Sequence, residues 1–243
     1  MKKSRRFIIA RHGETDFNRE RRVQGTSNES SLTDKGVSQA AALGAYISKR
    51  EKITKTFCSP LRRCRQTYAQ ISEVCAANDN VLPEPTILDN LKEIELKEWQ
   101  GRLRKDIMVE DKTNWDIFRA NPCDLRLQNG TFAPVLDCFE RASNNWNVIR
   151  ADAASNSAEV TFIMCHGAIG QCMLLHALGL YKTEYGKTRR YALDNCECFE
   201  VEFASDESEH PLRWRKIDVA QTESNWMSIS SSQRVCAALT TCR

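Results

Sequence analysis

Two short runs, Phe7–Ala10 (FIIA) and Val160–Cys165 (VTFIMC), constrain this chain more than any other feature. Neither contains a charge, and each is too short for a helix, so they read as strands covered on both faces. Such strands need helices above and below them, and the sequence supplies these. Behind Thr33, an N-cap, residues Val37, Ala40, Ala41, Gly44 and Ile47 fall on one helical face. Behind Ser59-Pro60, a cap and a first-turn proline, Leu61, Cys64, Tyr68, Ile71 and Cys75 form a second stripe. Residues 135–150 give a third amphipathic helix, and Ala168–Leu180, apolar nearly all round, a buried fourth. Thr56–Cys58, Phe199–Phe203 and Leu212–Val219 read as further strands, and residues 86–96 as extended chain. Strands alternating with helices predict an α/β three-layer sandwich, with a mostly parallel central sheet and helices on both faces. At 243 residues the chain fits one such domain over 1–220. The Ser/Thr-rich, aperiodic tail over 221–243 is expected to be loosely held, and residues 78–85 and 121–134 to be loops.

Composition excludes several classes. A net charge of +3 gives no continuous basic stripe, so no nucleic-acid partner is expected. No apolar run reaches the roughly 18–20 residues of a membrane span. The start MKKSRR-FIIA is too short in its apolar part for a signal peptide, so a cytoplasmic protein with no membrane partner is expected. The eleven cysteines include no CxxC pair, and only Cys196-x-Cys198 comes near a metal-ligand spacing. They read as reduced, buried thiols, with no metal and no cofactor expected. Arg outnumbers Lys by 22 to 13, a bias compatible with phosphate binding. The sequence carries no signal for oligomeric state.

In open α/β sheets ligands sit beyond the carboxyl ends of the strands. FIIA runs into Arg11-His12-Gly13-Glu14-Thr15, and VTFIMC into His166-Gly167, so two of only four histidines share one local setting. Of the other two, His176 reads as a core residue on an apolar helix face and His210 as solvated. At Cys58-Ser59-Pro60-Leu61-Arg62-Arg63 a strand hands over to a helix, where free N–H groups favour an anion. In Leu91–Gly101, a carboxylate among Glu93, Glu95 and Glu98 beside Ile94, Leu96 and Trp99 would be partly desolvated, which suits a general acid. Together these groups point to phosphoryl transfer onto a neutral imidazole, with arginines and a second histidine neutralising the phosphoryl oxygens.

The clusters, in this order, resemble the motifs of the histidine phosphatase (phosphoglycerate mutase-like) superfamily. Arg11-His12-Gly13-Glu14-Thr15 with Asn18 is similar to R-H-G-E-T-x-x-N. Gln24-Gly25 and Leu32-Thr33-x-x-Gly36-x-x-Gln39-Ala40 resemble Q-G…L-T-x-x-G-x-x-Q-A. Ser59-x-Leu61-x-Arg63-x-x-Gln66-Thr67, Leu91-x-Glu93 ending at Trp99-Gln100-Gly101, and Cys165-His166-Gly167 complete the set. The resemblance implies that His12 is the phosphorylated nucleophile and that Arg11, Arg63 and His166 form the phosphate pocket. It further implies Glu93 as proton donor, with Asn18, Gln24, Gly25 and Gly167 against a small phosphorylated substrate. It selects Arg63 over Arg62, and Glu93 over its neighbours. The loop Thr26–Ser31 is one residue longer than the usual form and lacks a proline before Leu32; the run after Gly130-Thr131-Phe132 is stretched. Substrate choice therefore stays open. A phosphatase is favoured over a cofactor-dependent phosphoglycerate mutase. The acid motif EIELKEWQG lacks the mutases' tyrosine-glycine, and residues 102–134 hold no adjacent arginine pair. A catalytically silent anion-binding protein is the remaining reading, and it predicts a lost core residue where none is missing.

Overall fold

The computed structural model describes residues 4–156, 159–180, 182–205, 208–219 and 226–228. Seven strands form one mixed sheet: β1 (Arg5–Arg11), β2 (Lys55–Cys58), β3 (Thr86–Ile87), β4 (Val160–Cys165), β5 (Cys198–Phe203), β6 (Arg213–Ile217) and β7 (Met227–Ser228). Their order across the sheet is β3-β2-β4-β1-β5-β6-β7. The pairings β1–β4, β4–β2 and β2–β3 are parallel, whereas β5, β6 and β7 are each antiparallel to the strand before them in that order. Strands β1, β2, β3, β4 and β6 therefore share one direction and β5 and β7 oppose it, so the sheet is mostly parallel.

The uncharged runs are buried on both sides because alternate residues feed two separate cores. Ile8, Ala10, Phe162 and Met164 pack with α2 (Asp34–Arg50), which follows the one-turn α1 (Asp16–Arg19), and with α3 (Arg62–Ala76), through Ala40, Leu43, Ile47, Tyr68 and Ile71. Phe7, Ile9, Ile163 and Cys165 face α6 (Pro134–Ser155) and α7 (Gly167–Ala177). Strand β4 is buried along its whole length, and the Phe7 ring lies 5.0 Å from that of Trp146 on α6. This is the predicted three-layer sandwich. The nine described cysteines are free thiols, eight of them buried.

Local details depart from the sequence reading. Residues 86–96 are not one extended segment: β3 covers only two residues, and short 3-10 turns follow at Asp89–Leu91 and Lys97–Trp99. The stretch after Gly101 holds two helices the periodicity did not reveal, α4 (Arg104–Glu110) and α5 (Lys112–Ala120). Neither spans more than nine residues, and α5 has no fully buried residue. It packs through aromatic edges instead, with Trp115 5.9 Å and Phe118 5.7 Å from the buried Trp99. Within the loop of 121–134, a 3-10 turn covers Pro122–Asp124 and Leu127 bridges Phe132. Of the tail, residues 221–225 and 229–243 lie outside the described residues, and Met227 and Ser228 pair with Trp214 and Arg213. Among the described residues no helix is long and apolar enough to cross a membrane.

Candidate active site

Sheet order places the site. β1 and β4 are parallel neighbours in a register that sets Arg11 opposite Cys165, so His12 and His166 leave the sheet side by side. The His12 amide donates to the Cys165 carbonyl at 3.1 Å, and the two imidazole centroids are 5.2 Å apart. β2 flanks β4 on its other side and contributes Ser59, whose Oγ lies 2.8 Å from His166 Nε2.

His12 is held in one tautomer. Its Nδ1 lies 2.8 Å from the Gly13 carbonyl, which can only accept, so Nδ1 carries the proton. Nε2 keeps its lone pair and has no partner among the described residues. Burial, reinforced by the charges of Arg63 and Arg11, holds this imidazole well below its ordinary pKa, so the ring is neutral at physiological pH. The turn after it is tightly packed: the Gly13 amide donates to Thr67 Oγ1 at 3.0 Å, and a Cβ on Gly13 would meet the Gly36 carbonyl at 2.5 Å.

His166 is wholly buried, and burial followed by the charge of Arg63 depresses its pKa strongly too. Arg63 Nε–H donates to its Nδ1 at 3.1 Å, so the proton of the neutral ring sits on Nε2, directed at Ser59 Oγ. Arg63 is 1% exposed and is fixed by the carbonyls of Ser27 (2.8 Å) and Gly25 (2.7 Å). Arg62, by contrast, leaves the pocket, and its amide is capped by Asn28 Oδ1. Arg11 donates through Nη1 to the Leu193 carbonyl at 2.8 Å, while its buried Nε has no partner. An unpartnered guanidinium N–H is a group that an anion can satisfy.

Glu93 approaches from the loop before Trp99. Its carboxylate sits on the first turn of α7 and accepts from the amides of Ala168 (3.0 and 3.1 Å) and Ile169 (3.1 Å). The neighbours expected from the sequence, Ile94, Leu96 and Trp99, are buried around the same cavity. Sequence reasoning did not anticipate the backbone seat, because no local pattern records that a distant helix presents its free N–H groups there. Nor did it single out Arg141 on α6. Arg141 donates to the carbonyls of Asn90, Lys92 and Glu93 at 3.1, 2.8 and 3.1 Å, and so fixes the loop that carries the carboxylate.

All nine residues singled out from the sequence converge. His12, Arg11, Arg63, Glu93, Asn18, Gln24, Gly25 and Gly167 line one cavity of about 250 Å³, and His166 lies behind it against His12 and Arg63. Asn18 Oδ1 accepts from Asn195 Nδ2 at 3.2 Å, and the same Asn195 amide donates to the His12 carbonyl at 3.0 Å. Gln24 Oε1 is held by Ser30 at 2.8 Å. Gly25 adopts a φ of +52°, and a Cβ there would lie 2.1 Å from Gln100 Oε1, itself held by Thr26. His176 and His210 are outside the cavity. His176 is only half-buried, with Ser143 Oγ 3.5 Å from its Nε2. Among the described residues no cluster of three or more His, Cys, Asp or Glu is placed to hold a metal ion.

A mixed α/β sandwich that brings two imidazoles from adjacent strand ends together with the guanidiniums of Arg11 and Arg63 can hold a small anion. A profile of the histidine phosphatase superfamily (branch 1) matches residues 7–234, and the chain belongs to that superfamily. It is 28% identical over 229 residues to the 2-carboxy-D-arabinitol-1-phosphatase of Triticum aestivum, a match covering 94% of this chain but only 43% of that protein. The Escherichia fergusonii protein named "Probable phosphoglycerate mutase GpmB" is 30% identical over 196 residues, covering 80% of this chain and 83% of its own. The fold matches a mycobacterial glucosyl-3-phosphoglycerate phosphatase with a TM-score of 0.69 at 21% identity, covering 88% of this chain and 97% of that one.

Proposed function

We propose that the chain is a metal-independent phosphomonoester hydrolase that acts through a phosphohistidine on His12, with Glu93 as the proton donor. The observation that carries this reading is the state of His12: buried, neutral and pinned through Nδ1–H, it keeps a free Nε2 lone pair in a cavity that Arg11, with an unpartnered Nε, also lines. Nε2 attacks phosphorus in line as the bond to the ester oxygen breaks. Arg11, Arg63 and His166 take up charge on the phosphoryl oxygens. The protonated Glu93 carboxyl gives its proton to the leaving oxygen. Water then attacks the phosphohistidine and yields its proton to the Glu93 carboxylate; the P–N bond breaks, and its electron pair returns to Nε2.

Hydrolysis and mutase chemistry share the first half of this cycle and differ in what accepts the phosphoryl group. Hydrolysis is favoured because α4 and α5 offer no adjacent arginine pair and the acid motif reads Glu93–Gly101 without a tyrosine-glycine. The test is phosphate release from a panel of monoesters in EDTA, including 3-phosphoglycerate with and without bisphosphoglycerate. Release unaffected by EDTA supports the proposal. Interconversion of 3- and 2-phosphoglycerate transfers the assignment to a mutase, and a requirement for added divalent metal refutes metal independence.

A further inference from the structure

The loop that enters β5 grips the histidine end of the cavity at several points. The Leu193 carbonyl receives Arg11 Nη1 at 2.8 Å, and the Glu197 carbonyl receives the Arg11 amide at 3.1 Å. Cys196, at a φ of +58°, turns its amide onto the carbonyls of Arg11 (3.2 Å) and His12 (3.3 Å). A non-glycine residue keeps a left-handed backbone only where its surroundings impose it. Among these contacts stands Asn195, half-buried, whose side chain no step of the proposed reaction uses.

Asn195 makes two bonds through a single nitrogen: Nδ2 donates to the His12 carbonyl at 3.0 Å and to Asn18 Oδ1 on α1 at 3.2 Å. The main chain forces these atom identities. A carbonyl only accepts, so the Asn195 atom facing His12 is its nitrogen. A backbone N–H only donates, and that of Thr15 lies 3.2 Å from the Asn18 side chain, so the atom there is the oxygen. The Thr15 hydroxyl supplies a further donor to Asn18 Oδ1 at 3.2 Å. Turned over, Asn18 would press N–H against the N–H groups of both Thr15 and Asn195. Its Nδ2, without a partner among the described residues, is therefore left for the cavity that Asn18 lines.

From this geometry we infer that Asn195 is a positioning residue: one carboxamide fixes the main chain of His12 and holds the amide of Asn18 with its N–H groups toward the phosphoryl oxygens. This rests on the reading of the His12 end of the cavity as the phosphate site. The two acceptors need two N–H groups on one nitrogen, which asparagine supplies. A serine or threonine has one donor, and an aspartate would set oxygen against oxygen at both.

A double-mutant cycle tests it. The full chain, Asn18→Ala, Asn195→Ala and the double variant are titrated with inorganic phosphate by amide NMR, which reads Kd and the Asn18 side-chain signals together. Asn18→Ala should weaken phosphate by about 10- to 100-fold, the range for a hydrogen bond to a charged group. Asn195→Ala should weaken it by about 3- to 10-fold, and by clearly less once Asn18 is already alanine, because no amide remains to be oriented. In the native chain phosphate should move the Asn18 Nδ2 signals. Asn195→Ser, which serves only one of the two acceptors, keeps the cycle readable if alanine loosens the loop, and urea unfolding of each variant separates stability from affinity. An equal loss with and without Asn18, no loss in Asn195→Ala, or Asn18 signals that phosphate leaves unmoved overturns the inference while hydrolysis itself stands. Coupling between the two positions without ester hydrolysis keeps the inference and refutes hydrolysis. No phosphate binding by the native chain overturns the inference together with the phosphate site it rests on.

Discussion

Replacing Glu93 by Gln separates its chemical role from its structural one. The carboxylate accepts amide N–H bonds from Ala168 and Ile169 at 3.0–3.1 Å, and Oε1 also receives its neighbour Ile94 at 2.9 Å. A glutamine keeps one oxygen, but its NH₂ would point at the Ala168 amide, donor against donor, and the charge at the α7 N-terminus is lost. A charge-assisted bond is worth roughly twice a neutral one, so the expected loss is about 1–2 kcal/mol, or about 2–8 °C in Tm for a chain of this size. The catalytic effect is of a different order. Removing a general acid lowers turnover by roughly 10²–10⁴-fold when the leaving oxygen must be protonated, as in an alkyl phosphate. An activated phenol such as p-nitrophenol leaves without that help, so p-nitrophenyl phosphate should lose only a small part of its kcat. The assay is steady-state kcat/KM for a series of phosphate esters graded by leaving-group pKa. Glu93→Gln should steepen the dependence on that pKa. An equal loss across the series refutes Glu93 as the proton donor.

Gly36→Ala sets helix propensity against packing. Alanine is favoured by about 1 kcal/mol within a helix, but the new Cβ would lie 2.0 Å from the Glu14 carbonyl, and overpacking costs about 1–3 kcal/mol or more. Net destabilisation in urea and a displaced His12 turn are expected; a stabilised protein contradicts the packing. Arg141→Met should lower kcat more than it raises KM and rescue partially as Arg141→Lys, because it frees the loop that carries Glu93 without touching phosphate; a change in KM alone refutes a positioning role. Because His12 and His166 resist protonation when folded, the unfolded chain binds more protons below the ordinary value of 6.5. Stability is therefore complete above about pH 7 and falls as pH drops below 6.5, by up to about 1.4 kcal/mol per pH unit for each histidine. Urea unfolding from pH 7.5 to 5.5 checks this, and a His166→Asn slope equal to that of the native protein refutes it.

Much of the fold was legible because local and tertiary signals agree. VTFIMC reads as a strand buried on both faces, and the register of β4 beside β1 puts both His-Gly turns at one end. What stayed hidden depends on contacts distant in sequence. Gln39 and Gln66 read only as motif letters, yet each accepts a backbone N–H, from Glu14 at 2.8 Å and Leu32 at 3.1 Å, pinning the loops around the pocket. Ser59 read as a helix cap, but the cap position of α3 is Leu61 with no side-chain bond, and the role Ser59 does have, its bond to His166, spans 107 positions. Helices α4 and α5 escaped because they span only seven and nine residues; α4 buries Ile107 alone, and α5 packs through Trp115 and Phe118 against Trp99. The same stretch contributes Arg104 and Arg119, so the part of the chain least readable from sequence faces the far side of the pocket.

The central claim is that His12 carries the phosphoryl group during turnover. Brief incubation with a phosphate-labelled monoester, quenched in alkali where phosphohistidine survives, measures this directly once the labelled peptide is mapped. Label on the peptide containing His12, lost together with turnover in His12→Ala, is the predicted result. Label on another residue, or turnover that persists in His12→Ala, contradicts the account.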